Sequence, residues 1–103
     1  MSNHHNRGAY KLMAKLEELF LHTKPSRILV QLNHPNKENY TAEIASEVGC
    51  TYSHAVRVVQ KMEKEGLVHT HREGRKKPVE LTQKGREIAE PLSELIHLLD
   101  AHE

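Results

Sequence analysis

Residues 40–68 read "YTAEIASEVGCTYSHAVRVVQKMEKEGLV", and the spacing of their apolar side chains decides the fold. Ile44, Ala45 and Val48 form the i, i+1, i+4 face of a short helix that Thr41 is placed to cap and Gly49 to stop. After a turn of a few residues a second helix begins and runs to Gly66. On a helical wheel Ala55, Val58, Val59 and Met62 share one side, with Val56 at its edge. Ser53, His54, Arg57, Gln60, Lys61 and Lys64 share the other. Residues 41–66 are therefore two helices joined by a tight turn, the second presenting a cationic face.

Beyond Gly66 the apolar period drops from helical to two. "LVHTHR" and "PVELT" predict two short strands, and "EGRKK" between them supplies a turn in which Gly74 can take a positive φ. Residues 67–82 thus form a β-ribbon with a basic tip. Upstream, residues 9–22 set Leu12, Met13, Leu16, Leu19 and Phe20 at helical spacing, with Lys15, Glu17 and Glu18 elsewhere on the wheel. "KPSRILVQL" starts a short helix near Pro25 that ends before the turn residues "NHPNKEN". Downstream, Thr82 caps a helix over 83–101 in which Ile88, Leu92, Leu95, Ile96 and Leu99 recur at i, i+3, i+4. Pro91 lies within it and is expected to kink or divide it.

A chain of 103 residues with 37% hydrophobic and 28% charged residues supports one domain with a modest core. No apolar run approaches bilayer length and the N-terminus lacks a signal-like stretch, so a cytoplasmic protein is expected. Its single cysteine, Cys50, cannot form an internal disulfide and is expected to be buried or inert. The net charge of +1 conceals a strong asymmetry: from Ser53 to Arg86 nine basic residues face four acidic ones. That segment is +5 and the remainder −4. Phosphate recognition follows the local field, so the segment is a candidate for nucleic acid.

The order helix, helix, helix, β-ribbon, helix resembles the winged helix-turn-helix of transcriptional regulators. The resemblance rests on the stretch 40–68 and on "REGRKKPVELTQKG", in which a basic wing leads into the next helix. Within that class the chain is most similar to the multiple antibiotic resistance regulator (MarR-like) group, with extra N- and C-terminal helices. It departs from the group in a shorter C-terminal region and in a wing without the common Asp and paired Arg. The fold implied is mainly α with a small β-ribbon. The function implied is a homodimeric regulator, expected to repress, that binds a palindromic site on double-stranded DNA.

The residues agree with that implication. Thr51, Tyr52, Ser53, His54 and Arg57 open the expected recognition helix, where base edges are read, and Arg57 can pair with a guanine edge. Lys61 suits a phosphate. Arg72, Arg75, Lys76 and Lys77 of the wing would neutralise phosphates, with Arg75 nearest the tip for a narrow minor groove. Leu12, Leu16, Leu19, Phe20, Leu92, Leu95, Ile96 and Leu99 exceed what so small a domain needs to cover itself, which predicts dimerisation through the terminal helices. Nine histidines raise the question of a metal. His69 and His71 share a strand face, but His97 and His102 are five apart, His4 and His5 lie in the N-terminal tail, and no paired-cysteine motif exists, so neither metal nor cofactor is expected. No phosphate loop, activated serine or carboxylate pair stands out, and no enzymatic activity is expected. The alternatives are a winged helix used as a protein-interaction module and a metal- or ligand-responsive repressor.

Overall fold

A computed structural model describes residues 15–34, 39–72 and 74–102. The expected helix start at Ala9 with Leu12, the histidines at 4 and 5, the turn residues 35–38 and Glu73 lie outside them. The described residues form five helices and a hairpin in the order α1 (Lys15–Phe20), α2 (Thr23–Gln31), α3 (Thr41–Val48), α4 (Tyr52–Lys64), β1 (Val68–Thr70), β2 (Val79–Leu81) and α5 (Gln83–Ala101). The fold is the mainly helical winged helix that the sequence predicts, with a two-stranded antiparallel hairpin.

Each boundary has a local cause. The N-terminal helix stops at Phe20 and not at His22, because His22 is extended and serves as the N-cap of α2. Pro25 then falls in the first turn of α2, where its missing N–H costs nothing. Thr41 proves to be the first residue of α3 and not its cap; Tyr40 occupies the cap position without a side-chain bond. The cap signal is stronger one turn on: the Thr51 hydroxyl accepts from the His54 N–H at 3.1 Å and opens α4 after a three-residue turn, Gly49 to Thr51. At the other end of α4, Gly66 at φ +79° lets its own N–H reach the Glu63 carbonyl (3.0 Å) and the Leu67 N–H reach that of Met62 (2.9 Å). This left-handed residue satisfies the last carbonyls of α4 and swings the chain into β1.

Pro91 does not divide the C-terminal helix: α5 runs unbroken through it. Pro91 and Glu87, whose carbonyl the proline cannot bond, are both exposed, so water can satisfy the lost partner.

The core collects Ile28 and Leu29 of α2, Ile44, Ala45 and Val48 of α3, Ala55, Val58, Val59 and Met62 of α4, Val68, Val79 and Leu81 of the hairpin, and Ala89 of α5. Every α4 residue placed on the apolar side of the wheel is buried there. Cys50 is half-buried against this cluster. In the hairpin Val68 pairs with Leu81, His69 with Glu80 and Thr70 with Val79. The Val79 N–H also donates to the Asn39 carbonyl at 2.8 Å, tying the segment before α3 to the free edge of β2.

One charged residue departs from its expected place. Glu17, on the polar side of the wheel, is fully buried, and its carboxylate accepts both Nε (2.9 Å) and Nη2 of Arg27. The Arg27 guanidinium also lies 3.5 Å from the Asp100 carboxylate, so one ion-pair network joins α1, α2 and the last turn of α5. A buried carboxylate requires such compensation, and removing Arg27 alone would strand it.

The junction between α4 and α5 explains "LTQKG". The Thr82 hydroxyl donates to the Gly66 carbonyl at 2.6 Å and accepts from the Gly85 N–H at 3.0 Å, while the Lys84 ammonium donates to the Glu65 carbonyl at 2.9 Å. Gly85 packs so tightly on the backbone just before β1 that a Cβ there would stand 2.0 Å from the Leu67 carbonyl oxygen. Alanine normally gains about 1 kcal/mol over glycine in a helix. Here the clash is with backbone, so Gly85→Ala is expected to destabilise the domain by about 3 kcal/mol. A urea titration checks this; an unchanged midpoint would show that the helix and the strand are not packed this closely.

Candidate nucleic-acid interface

Helix α4 is the element around which the surface is organised. With Ala55, Val58, Val59 and Met62 turned inward, its opposite face is forced outward: Ser53, Arg57, Gln60, Lys61 and Lys64 are exposed and His54 is half-buried. Tyr52, whose ring could have packed against the apolar flank, is 60% exposed at the start of the helix. Thr51 is exposed as well, with its hydroxyl engaged as the cap.

The hairpin carries the second set. Arg72, Arg75, Lys76 and Lys77 are all exposed, and Gly74 turns the chain between them at φ +64°. Three of them, Arg75, Lys76 and Lys77, border a groove of about 370 Å³ whose opposite wall is the Tyr52, Val56 and Gln60 flank of α4. Tyr40, the residue before α3, also lines the groove, and the Lys76 ammonium lies 5.6 Å from its ring centroid. Glu63 also lines the groove, with its carboxylate accepting from the backbone N–H (3.2 Å) and hydroxyl (3.1 Å) of Thr70. Arg57, Lys61, Ser53 and His54 lie outside the groove lining, as does Arg72. The sequence reading missed Tyr40: the residue precedes α3, and only the pairing of Asn39 with Val79 carries it to the hairpin.

On the hairpin's outer face His69 and His71 stack with ring centroids 5.8 Å apart, each with Nε2 3.5 Å from a different oxygen of Glu80. Among the described residues no group of three or more His, Cys, Asp or Glu is arranged to hold a metal ion. No described helix is long and apolar enough to cross a membrane.

The terminal helices sort their apolar residues between inside and outside. Ile96 is buried in its own chain, Leu92 packs against the core, and Leu16 and Leu99 are half-buried. Leu19 (72%), Phe20 (67%) and Leu95 (39%) remain exposed, joined by Ile88 (43%) and by Leu98 (55%), which the sequence reading did not single out. Leu12 lies outside the described residues.

Comparison with known proteins places this geometry. A family model described as a winged helix DNA-binding domain matches residues 21–85. An uncharacterized protein of Archaeoglobus fulgidus is 33% identical over 61 residues, which are 59% of this chain and 64% of that one. The match therefore spans less than two thirds of that relative's length. Among solved structures, AF1382 from Archaeoglobus fulgidus aligns with a TM-score of 0.75 at 28% identity, covering 80% of this chain and 93% of that one. The MarR family transcriptional regulator SPO1453 from Silicibacter pomeroyi aligns with a TM-score of 0.75 at 22% identity, covering 93% of this chain and 73% of that one. A mutant of MepR from Staphylococcus aureus, bound to an oligodeoxyribonucleotide, aligns with a TM-score of 0.67 at 19% identity, covering 94% and 73%. The likeness to the two regulators is one of fold.

Proposed function

The chain belongs to the winged helix DNA-binding domain family, and from that premise we propose that it is a homodimeric transcriptional regulator, most simply a repressor, that binds a palindromic site on duplex DNA. Helix α4 enters the major groove with Tyr52, Ser53, His54 and Arg57 toward base edges and Lys61 toward a phosphate. Thr51 fixes the first turn of that helix and presents its backbone to the same groove. The hairpin reaches across the adjacent strand, with Arg75 at the minor groove and Arg72, Lys76 and Lys77 on phosphates.

One observation carries this reading: the cationic hairpin tip and the reading helix border a single groove, so one duplex can engage both. The fold neighbour MepR, solved with an oligodeoxyribonucleotide, supports DNA as the class of partner. A protein-interaction module would be free to place apolar or acidic side chains at Arg57, Lys61, Arg75, Lys76 and Lys77, and this chain places only cations there.

Selection of bound sequences from a random duplex pool tests the proposal, with a palindromic motif as the expected result. Half-sites should be centred about one DNA turn, roughly 34 Å, apart. Against the selected duplex Arg57→Ala should cost about 1 to 3 kcal/mol, and far less against random DNA. An equal loss on both would assign Arg57 to the phosphates and remove it from base reading.

A further inference from the structure

A helix in the major groove and a hairpin in the adjacent minor groove of B-form DNA have one sugar–phosphate strand between them, because that strand is what separates the grooves. In this protein the space between those two elements is the groove bordered by Tyr40, Gln60 and Lys76. We infer that this groove is a seat for that strand, and that Tyr40 is a positioning residue that sets Lys76 on one backbone phosphate. The inference rests on the DNA-binding reading above and assigns within it a site that the surface charge alone does not.

Four features make the groove specific for a phosphate strand. Its hairpin side offers the cations Lys76 and Lys77, with Arg75 beside them, and its helix side offers the Gln60 amide, groups suited to anionic oxygens. Val56 and Val59 line it as well, an apolar surface matched to deoxyribose and not to an ion in water. The Lys76 ammonium stands 5.6 Å from the Tyr40 ring centroid, so a lysine that is otherwise exposed and rotamer-rich is held in the groove by the ring's negative face. The carboxylate in the groove is turned to other work: Glu63 is engaged by the N–H and hydroxyl of Thr70. Its charge still repels an anion beside it, so the phosphate is assigned to the Lys76 ammonium and not to Glu63.

The test uses the whole chain and the selected duplex, with single methylphosphonate substitutions that remove one phosphate charge at a time. For the wild type, one position between the base pairs read by α4 and the minor groove should weaken binding about tenfold when neutralised, as loss of a charged hydrogen bond does. In Lys76→Ala the same neutralisation should cost less than about twofold, since its partner is already gone. Tyr40→Ala should behave like Lys76→Ala at that position, and Tyr40→Phe, which keeps the ring, like the wild type. Lys76 is exposed, so its variant keeps the fold and the test stands even if Tyr40→Ala does not fold. If the wild-type chain binds duplex DNA but no phosphate position is coupled to Lys76, the seat is overturned alone. If Lys76 is coupled to one phosphate and a folded Tyr40→Ala retains that coupling, the role of Tyr40 is overturned. A wild-type chain that binds no duplex removes both the seat and the reading beneath it.

Discussion

Alanine at Arg75, Lys76 and Lys77 together is expected to weaken binding to cognate and random duplexes alike and to lower the salt dependence of affinity by about two to three units. The reason is counterion release: each phosphate neutralised frees about 0.9 of a condensed cation, and that entropy does not depend on sequence. Leaving two phosphates and the minor groove without their cationic partners lowers affinity by about a hundredfold near physiological salt, and by less as salt rises. All three side chains are exposed and outside the core, so thermal stability should not change. The outcome contrasts with Arg57→Ala, whose loss is confined to the cognate site. Titrations of both variants at several salt concentrations separate the two surfaces. A triple variant that keeps the wild-type slope would reduce the hairpin to a solvated turn.

Much of the fold that presents this hairpin is readable from local pattern. The helical wheel of α4 separates its buried residues from Arg57, Gln60 and Lys61 because an amphipathic period is a property of consecutive residues. Gly66 and Thr82 are readable for the same reason, since a left-handed stop and a side-chain cap act within one turn. What escapes the sequence depends on partners far along the chain. Glu17 looks like a surface glutamate until Arg27 of the next helix, itself beside Asp100 of α5, meets it. Tyr40 looks like the residue before a helix until the edge of β2 brings it under Lys76. Pro91 reads as a kink or a break, yet the Glu87 carbonyl it leaves unpaired falls on an exposed face and the helix continues.

The terminal helices show the same limit and lead to the second large expected effect. Residues 83–101 hold more leucines than one face requires, but only packing against α2 and the core decides which of them turn inward. Gly85, Ala89, Leu92, Ile96 and Leu99 follow the inward seam; Ile88, Pro91, Leu95 and Leu98 follow a second, exposed seam with the alternating three- and four-residue spacing of helices that pack on helices. We propose that this second seam meets its own symmetry mate, with the exposed Leu19 and Phe20 as further apolar surface. Glutamate at both Leu95 and Leu98 should then yield monomers without disturbing the fold, because both side chains are exposed, whereas Leu99 is half-buried and a charge there would also strike the core. A monomer engages one half-site and loses the gain from linked binding, so affinity for a palindromic duplex should fall by about 10² to 10⁴, while binding to an isolated half-site is retained. Light scattering and half-site titrations measure the two consequences separately. A wild-type chain that stays monomeric at high concentration, or a double variant that stays dimeric, would show that α5 does not pair through this seam.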